Sequence, residues 1–185
     1  RGAGGPADMA WITGITFGGY GRLANGTTPL LDEGLLGGPE PGRWWDIIDR
    51  YNVSSFFTAP TAIRSLMRDG DDLPRQYSLR SLRRLASAGE PISADAWMWF
   101  YDVVGQKRCP VIDMWWQTET AGPMLSAVAG AQPLKPGWAT TPVPGLTASL
   151  TTEKGEVIPA GGETEGCLCF DSSWPGQAGT IWGDH

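Results

Sequence analysis

Apolar residues along the chain fall into short blocks that alternate between a helical and a strand-like period. Trp44, Trp45, Ile47, Ile48 and Tyr51 recur at helical spacing behind Pro41, which suits a first helical turn, and predict a helix over residues 41–51. A helix is expected from Trp11 toward Leu23, weakened at Gly18, Gly19 and Gly21 by about 1 kcal/mol each relative to Ala. Thr61 to Met67 reads as a short helix. Ser93 suits an N-cap, with Asp95 in the first turn, for a helix reaching Val104 whose stripe of Trp97, Phe100, Tyr101 and Val104 reads as core. Between these lie strand-like runs at Thr27–Leu31, Val53–Phe57 and Leu82–Ser87, and the Pro-bounded Pro110-Val111-Ile112, after which Asp113 marks where the core stops. The alternation predicts an α/β fold with a mainly parallel sheet flanked by helices. From Gly130 onward prolines punctuate a loop, and Leu146–Leu150 and Gly166–Phe170 read as strands of a small β-rich subdomain.

The run Asp113-Met114-Trp115-Trp116-Gln117-Thr118-Glu119-Thr120 passes from an apolar strand into acceptors and hydroxyls. In open α/β sheets ligands collect at the carboxyl ends of strands, where Glu119 offers a hard oxygen ligand and Thr118 a hydroxyl. Spacing alone favours a surface loop after a strand, with Trp115 and Trp116 filling core. Likewise Ser87-Ala88-Gly89-Glu90-Pro91 is, by itself, an ordinary strand-to-helix turn.

Composition narrows the classes. A net charge of −6 with 14 Lys and Arg argues against nucleic acid or an anionic membrane as partner. No apolar run of about eighteen residues and no basic-then-apolar leader is present. The single histidine is His185, so no internal His serves a Ser-His-Asp triad or a zinc cluster. The three cysteines are expected to be reduced, Cys167 and Cys169 pointing to opposite faces of their strand, in a cytoplasmic setting.

The segment DMWWQTET (113–120) resembles the DTWWQTE signature of AMP-forming acetyl-CoA synthetases, within the adenylate-forming superfamily. Also matching, in the family's order, are ADMAWITG at 7–14, GRLANG at 21–26, TAPTAIRSLM at 58–67, SAGEPIS at 87–93 and SSWPGQAGTIWGDH at 172–185. The resemblance implies the N-terminal domain of such an enzyme, with 7–130 as its α/β portion and 131–185 as a β-rich portion cut at His185. Residues 1–6 read as an unmatched, flexible start.

The same resemblance implies that ATP and a short carboxylate give an acyl-adenylate and pyrophosphate, and that CoA then releases AMP. It implies that Gly89, Glu90 and Pro91, with Asp113, Met114, Trp115, Trp116 and Gln117, flank the nucleotide, that Thr118 meets the α-phosphate and that Glu119 binds Mg²⁺. Ile12, Thr13, Ala88 and Trp116 would form the acyl pocket for acetate or propionate. Val is common among acetate-specific relatives where Ala88 stands. Thr13 and Gly37 fall on CoA contacts, but Gly37 replaces the usual Asn, which puts that contact in doubt. Ile15 and Arg22 also depart from the usual His and Pro. No catalytic residue falls within the chain: the phosphate loop is expected upstream of Ala7, and the ribose-binding Asp and catalytic Lys after His185. The isolated chain is therefore expected to be inactive, with sheet edges lacking neighbours as candidates for pairing with a second copy. Two other readings stay open: a free-standing, non-catalytic nucleotide- or protein-binding module, and a Trp-rich binding module with exposed rings.

Overall fold

The computed structural model describes residues 2–4, 11–34, 38 and 40–183. A six-stranded sheet runs in the order β2-β1-β3-β4-β5-β6, built from β1 (Gly2–Gly4), β2 (Thr28–Pro29), β3 (Val53–Thr58), β4 (Arg84–Ser87), β5 (Val111–Trp115) and β6 (Leu125–Ser126). Strands β1 to β5 pair in parallel, and β6 closes the edge antiparallel to β5. The connections carry helices α1 (residues 12–24), α2 (Arg43–Arg50), α3 (Pro60–Arg68), α4 (Asp72–Arg75) and α5 (residues 94–104, π-wound over Phe100–Val104). This is the predicted α/β class. A separate antiparallel pair, β7 (Ala148–Thr151) and β8 (Cys167–Phe170), forms the expected small β unit.

Register decides what is buried. Phe56, Leu85 and Val111 stand in one cross-strand row and are at most 1% exposed, packed under Trp44, Trp45, Ile48, Ile63 and Phe100 from the covering helices. The rings of Trp45 and Phe100 meet Phe56 edge-on at 6.3 and 5.9 Å, the offset geometry that aromatic quadrupoles favour. The opposite face, carrying Phe57, Ala86 and Ile112, is roofed by α1, leaving a cavity of about 590 Å³ between helix and sheet. Helix α1 is wound as a π-helix over Gly14–Tyr20, its widened turn closed by the Gly21 amide on the Thr16 carbonyl. A Cβ at Gly21 would collide with that carbonyl. The glycine expected to weaken the helix is thus required by it.

Several expectations are corrected. β5 does not stop at Asp113 but runs on to Trp115, and Asp113 is buried, its charge met across the sheet by Ser87. The opening Gly2–Gly4, read as a flexible start, pairs with both β2 and β3; backbone pairing needs no side chain, so no pattern announces it. Helix α4, unforeseen around Pro74, is preceded by Asp71, whose carboxylate accepts from Trp99 Nε1 at 2.6 Å. Cys167 and Cys169 share one face of β8 rather than opposite faces, because strand side chains repeat every two residues. Their partner strand shows it: Thr151, opposite Cys167, also reaches Cys169 Sγ. All three cysteines are unpaired. Both sheet edges are short, each of two residues, and β2 carries Pro29, so little free ladder is available to a second copy.

Candidate functional site

The carboxyl ends of β3, β4 and β5 converge on one cleft of about 490 Å³. Ile12 and Thr13 enter from the first turn of α1, Ala88 and Gly89 follow β4, and Trp116, Gln117 and Thr118 follow β5. Four residues inferred from the resemblance as an acyl pocket are therefore brought together, with three of those inferred for the nucleotide beside them. Thr58, Ser87 and Asp113 form the row beneath the cleft, 2%, 0% and 9% exposed. Ser87 donates to Asp113 Oδ1 at 2.6 Å. Burial pushes the Asp113 carboxyl above its ordinary range, opposed by the Ser87 hydroxyl and the Met114 amide.

Gly89 lies at φ +103°, a left-handed conformation that favours glycine, with open space where a Cβ would stand. A flat ligand can approach the backbone there. Glu90 points away from the cleft: it accepts from the Thr61 amide at 2.7 Å and from Arg64 Nη2 at 2.9 Å. These bonds, Thr61 first, hold its carboxyl below the ordinary range. Glu90 thereby ties the β4–α5 turn to the first turn of α3, where amides lack helical partners.

Of the other residues in the run, Met114 faces the cavity under α1, while Trp115 stacks on Phe170 with ring centroids 6.2 Å apart. Pro91 is exposed, and Gly37 lies outside the described residues. Thr118-Glu119-Thr120 forms a 3-10 turn. The Thr120 hydroxyl accepts from the Gln117 amide and lies 2.8 and 2.9 Å from the Gln117 and Gly122 carbonyls, donating to one of them. Trp174 Nε1 donates to the Thr120 carbonyl at 2.9 Å, so the segment after β8 braces the turn. Glu119 is exposed beside Thr118. Among the described residues no three His, Cys, Asp or Glu side chains gather as a metal cage. A single exposed carboxylate suits Mg²⁺ delivered with phosphates, since that ion keeps waters and takes one or two carboxylates.

The residues that sequence reasoning missed are supporting ones: Ser87 beneath the cleft, Thr58 in its wall, and the rings of Phe17 and Phe57 against Trp116. Phe57 directly precedes the TAPTAIRSLM match, but adjacency says nothing of contact with Trp116, far along the chain.

A sequence profile described as AMP-binding enzyme matches residues 4–177. The chain belongs to the AMP-binding enzyme family. Relatives in this family include proteins named acetyl-coenzyme A synthetase from Allorhizobium ampelinum, 51% identical over 179 residues, and from Wolinella succinogenes, 48% identical over 178. The protein of that name from Arabidopsis thaliana, described as chloroplastic/glyoxysomal, is 51% identical over 179 residues. Each alignment covers 96–97% of this chain but 24–27% of the relative. The chain thus spans about a quarter of these proteins' length. A crystal structure of an acyl-CoA synthetase from Brucella canis superposes with a TM-score of 0.78 at 30% identity, over 91% of this chain and 29% of that one. The resemblance drawn from DMWWQTET and its companion segments is borne out, as is the fold. Three of ten tryptophans are exposed, Trp11, Trp138 and Trp182, and they lie on separate segments. They form no stacking platform. Among the described residues no helix is long and apolar enough to cross a membrane.

Proposed function

We propose that the chain is the interior part of an AMP-forming acetyl-CoA or propionyl-CoA synthetase, which joins ATP and a short carboxylate to an acyl-adenylate and passes the acyl group to CoA. The observation that carries this reading is the convergence of Ile12, Thr13, Ala88 and Trp116 with Gly89, Gln117 and Thr118 on one cleft. Residues 7–130 are its α/β portion and 131–185 a β-rich portion of the same domain.

The roles are those the resemblance implies, and the grouping of Ile12, Thr13, Ala88, Gly89, Trp116, Gln117 and Thr118 supports them. Gly89 and Pro91 present a turn against which adenine lies flat, and Glu90 fixes that turn through Thr61 and Arg64. Asp113 to Gln117 flank the nucleotide, Asp113 from beneath through its bond to Ser87. Thr118 donates its hydroxyl to the α-phosphate. Glu119 holds Mg²⁺, which when bound offsets the repulsion between phosphates and an incoming carboxylate. Ile12, Thr13 and Ala88 wall the acid, and the Trp116 indole ends the pocket at about two or three carbons. Thr13 contacts CoA, and Gly37 is the second candidate for that contact. We place the enzyme in the cytoplasm on its unpaired cysteines.

The test is acid-dependent AMP formation from ATP, Mg²⁺ and CoA. The full-length protein is expected to form AMP only when acetate or propionate is supplied, and the 185-residue chain none above its Glu119→Ala control. Failure of the full-length protein, or turnover independent of the acid, would overturn the reading in favour of a binding module.

A further inference from the structure

Trp116 is held in place from behind. Its ring lies 5.2 Å from that of Phe17 and 6.1 Å from that of Phe57, and Phe17 and Phe57 are themselves 5.2 Å apart, so the three form a closed triangle. The triangle stands between two cavities. Trp116 lines the cleft of about 490 Å³, Phe17 lines the cavity of about 590 Å³ between α1 and the sheet, and Phe57 lines both. The second cavity is apolar where it backs onto the rings, through Ala86, Ile112 and Met114.

Trp116 is half-buried, and no hydrogen bond fixes its indole among the described residues. Ring packing therefore sets its rotamer. An aromatic side chain resting on two rings keeps one orientation only while both are present, because interiors tolerate no void beside a large side chain without relaxation. Phe57, 9% exposed on β3, is fixed by the sheet. Phe17 is the adjustable member, since it rides on the π-wound part of α1.

We propose that Phe17 is a specificity-determining positioning residue: from outside the cleft it wedges Trp116 against Phe57, and so sets the longest unbranched monocarboxylate the enzyme accepts. Removing the Phe17 ring leaves space on the far side of the indole that is continuous with the second cavity. The indole then swings back, and the alkyl chain of a four- to six-carbon acid follows it. The inference rests on the acyl-pocket reading above, and its test separates the two.

The full-length enzyme, as wild type, Phe17→Ala, Phe17→Tyr and Trp116→Gly, is assayed with acetate, propionate, butyrate and hexanoate at saturating ATP and CoA. Phe17→Ala is expected to raise the butyrate-to-acetate ratio of kcat/KM by roughly tenfold, as when a pocket stops discriminating against a methylene. The gain should appear as a lower KM for butyrate with the KM for ATP unchanged. Phe17→Tyr retains the ring and should keep the wild-type ratio. An unchanged ratio in Phe17→Ala beside a broadened one in Trp116→Gly overturns the role of Phe17 alone. A fall in kcat equal for every acid does the same, since that is a merely structural effect. No change in Trp116→Gly removes the acyl-pocket reading and this inference with it. If Phe17→Ala does not fold, Phe17→Val is judged by the same ratio.

Discussion

Replacing Ser87 by Ala removes one hydroxyl, and that hydroxyl donates to Asp113 Oδ1 at 2.6 Å where β4 and β5 are register partners. Ser87 is 0% exposed and Asp113 9%, so water does not substitute for the lost donor. A hydrogen bond to a charged group contributes about 1.5–3 kcal/mol, and its loss leaves a buried acceptor short of a partner. Taking about 2 kcal/mol, and about 2–4 °C per kcal/mol for a domain of this size, the melting temperature should fall by about 4–8 °C near pH 7. The pH dependence has a definite sign. Burial raises the folded-state pKa of Asp113 above its ordinary value of 3.8. The folded state therefore binds the proton more readily, and its contribution to stability is fully present below the unfolded pKa and lost as pH rises through the raised one. Ser87→Ala removes an influence that lowers this pKa, so its cost is largest above both pKa values and shrinks in acid. Asp113→Asn, which still accepts from Ser87, should flatten the dependence and make a subsequent Ser87→Ala cheaper. Thermal unfolding of the 185-residue chain, followed by circular dichroism across this range, measures all three variants. An unchanged melting temperature in Ser87→Ala at neutral pH, or a larger loss in acid, would refute the reasoning.

Glu119→Gln keeps shape and removes charge at an exposed position, so adenylation by the full-length enzyme should fall by about 10²-fold or more while thermal stability holds; unchanged turnover at limiting Mg²⁺ rules the role out. Ala88→Val adds two methyl groups to the cleft wall. At about 0.8 kcal/mol each, it should move kcat/KM toward acetate over propionate by about tenfold. A wild-type enzyme already preferring acetate more than about tenfold would show that Ile12 fills the space instead. Glu90→Gln should cost no more than about 1 kcal/mol, because the pair with Arg64 is partly exposed. The Glu90 pKa is lowered by Thr61 and Arg64. Its contribution is therefore present above the unfolded pKa and lost as pH falls through the lowered folded one, so wild type and variant should converge in unfolding titrations only in acid below that folded pKa.

The helices were legible because their apolar stripes repeat with helical period: α2 and α3 lie within two residues of their expected limits, and Ser93 caps α5 by accepting from the Ala96 amide. What stayed hidden has a common cause. Asp113 looks like the end of a strand because a carboxylate does not belong in a core, yet its partner Ser87 is 26 residues earlier and reaches it only after the sheet forms. Phe17 and Trp116 are likewise joined only by tertiary packing. For the cleft itself, the chain's own pattern located the strand end after β5, and only the resemblance pointed to Ile12, Thr13 and Ala88.

Fold and candidate site are one decision in this chain. Thr58, Ser87 and Asp113 lie in a single cross-strand row on the same side as Phe56, Leu85 and Val111. Slipping β4 by one residue would bring Ala86 into the core row and turn Leu85 and Ser87 to the other face, because strand side chains alternate. Burial of Leu85, completely shielded from solvent, forbids that slip. The register that seals the core also fixes where the carboxyl ends of β4 and β5 emerge, and with them Ala88 and Trp116 on the cleft. A core substitution on β4 should therefore disturb acid selection before it unfolds the domain, through the one row of residues that belongs to both.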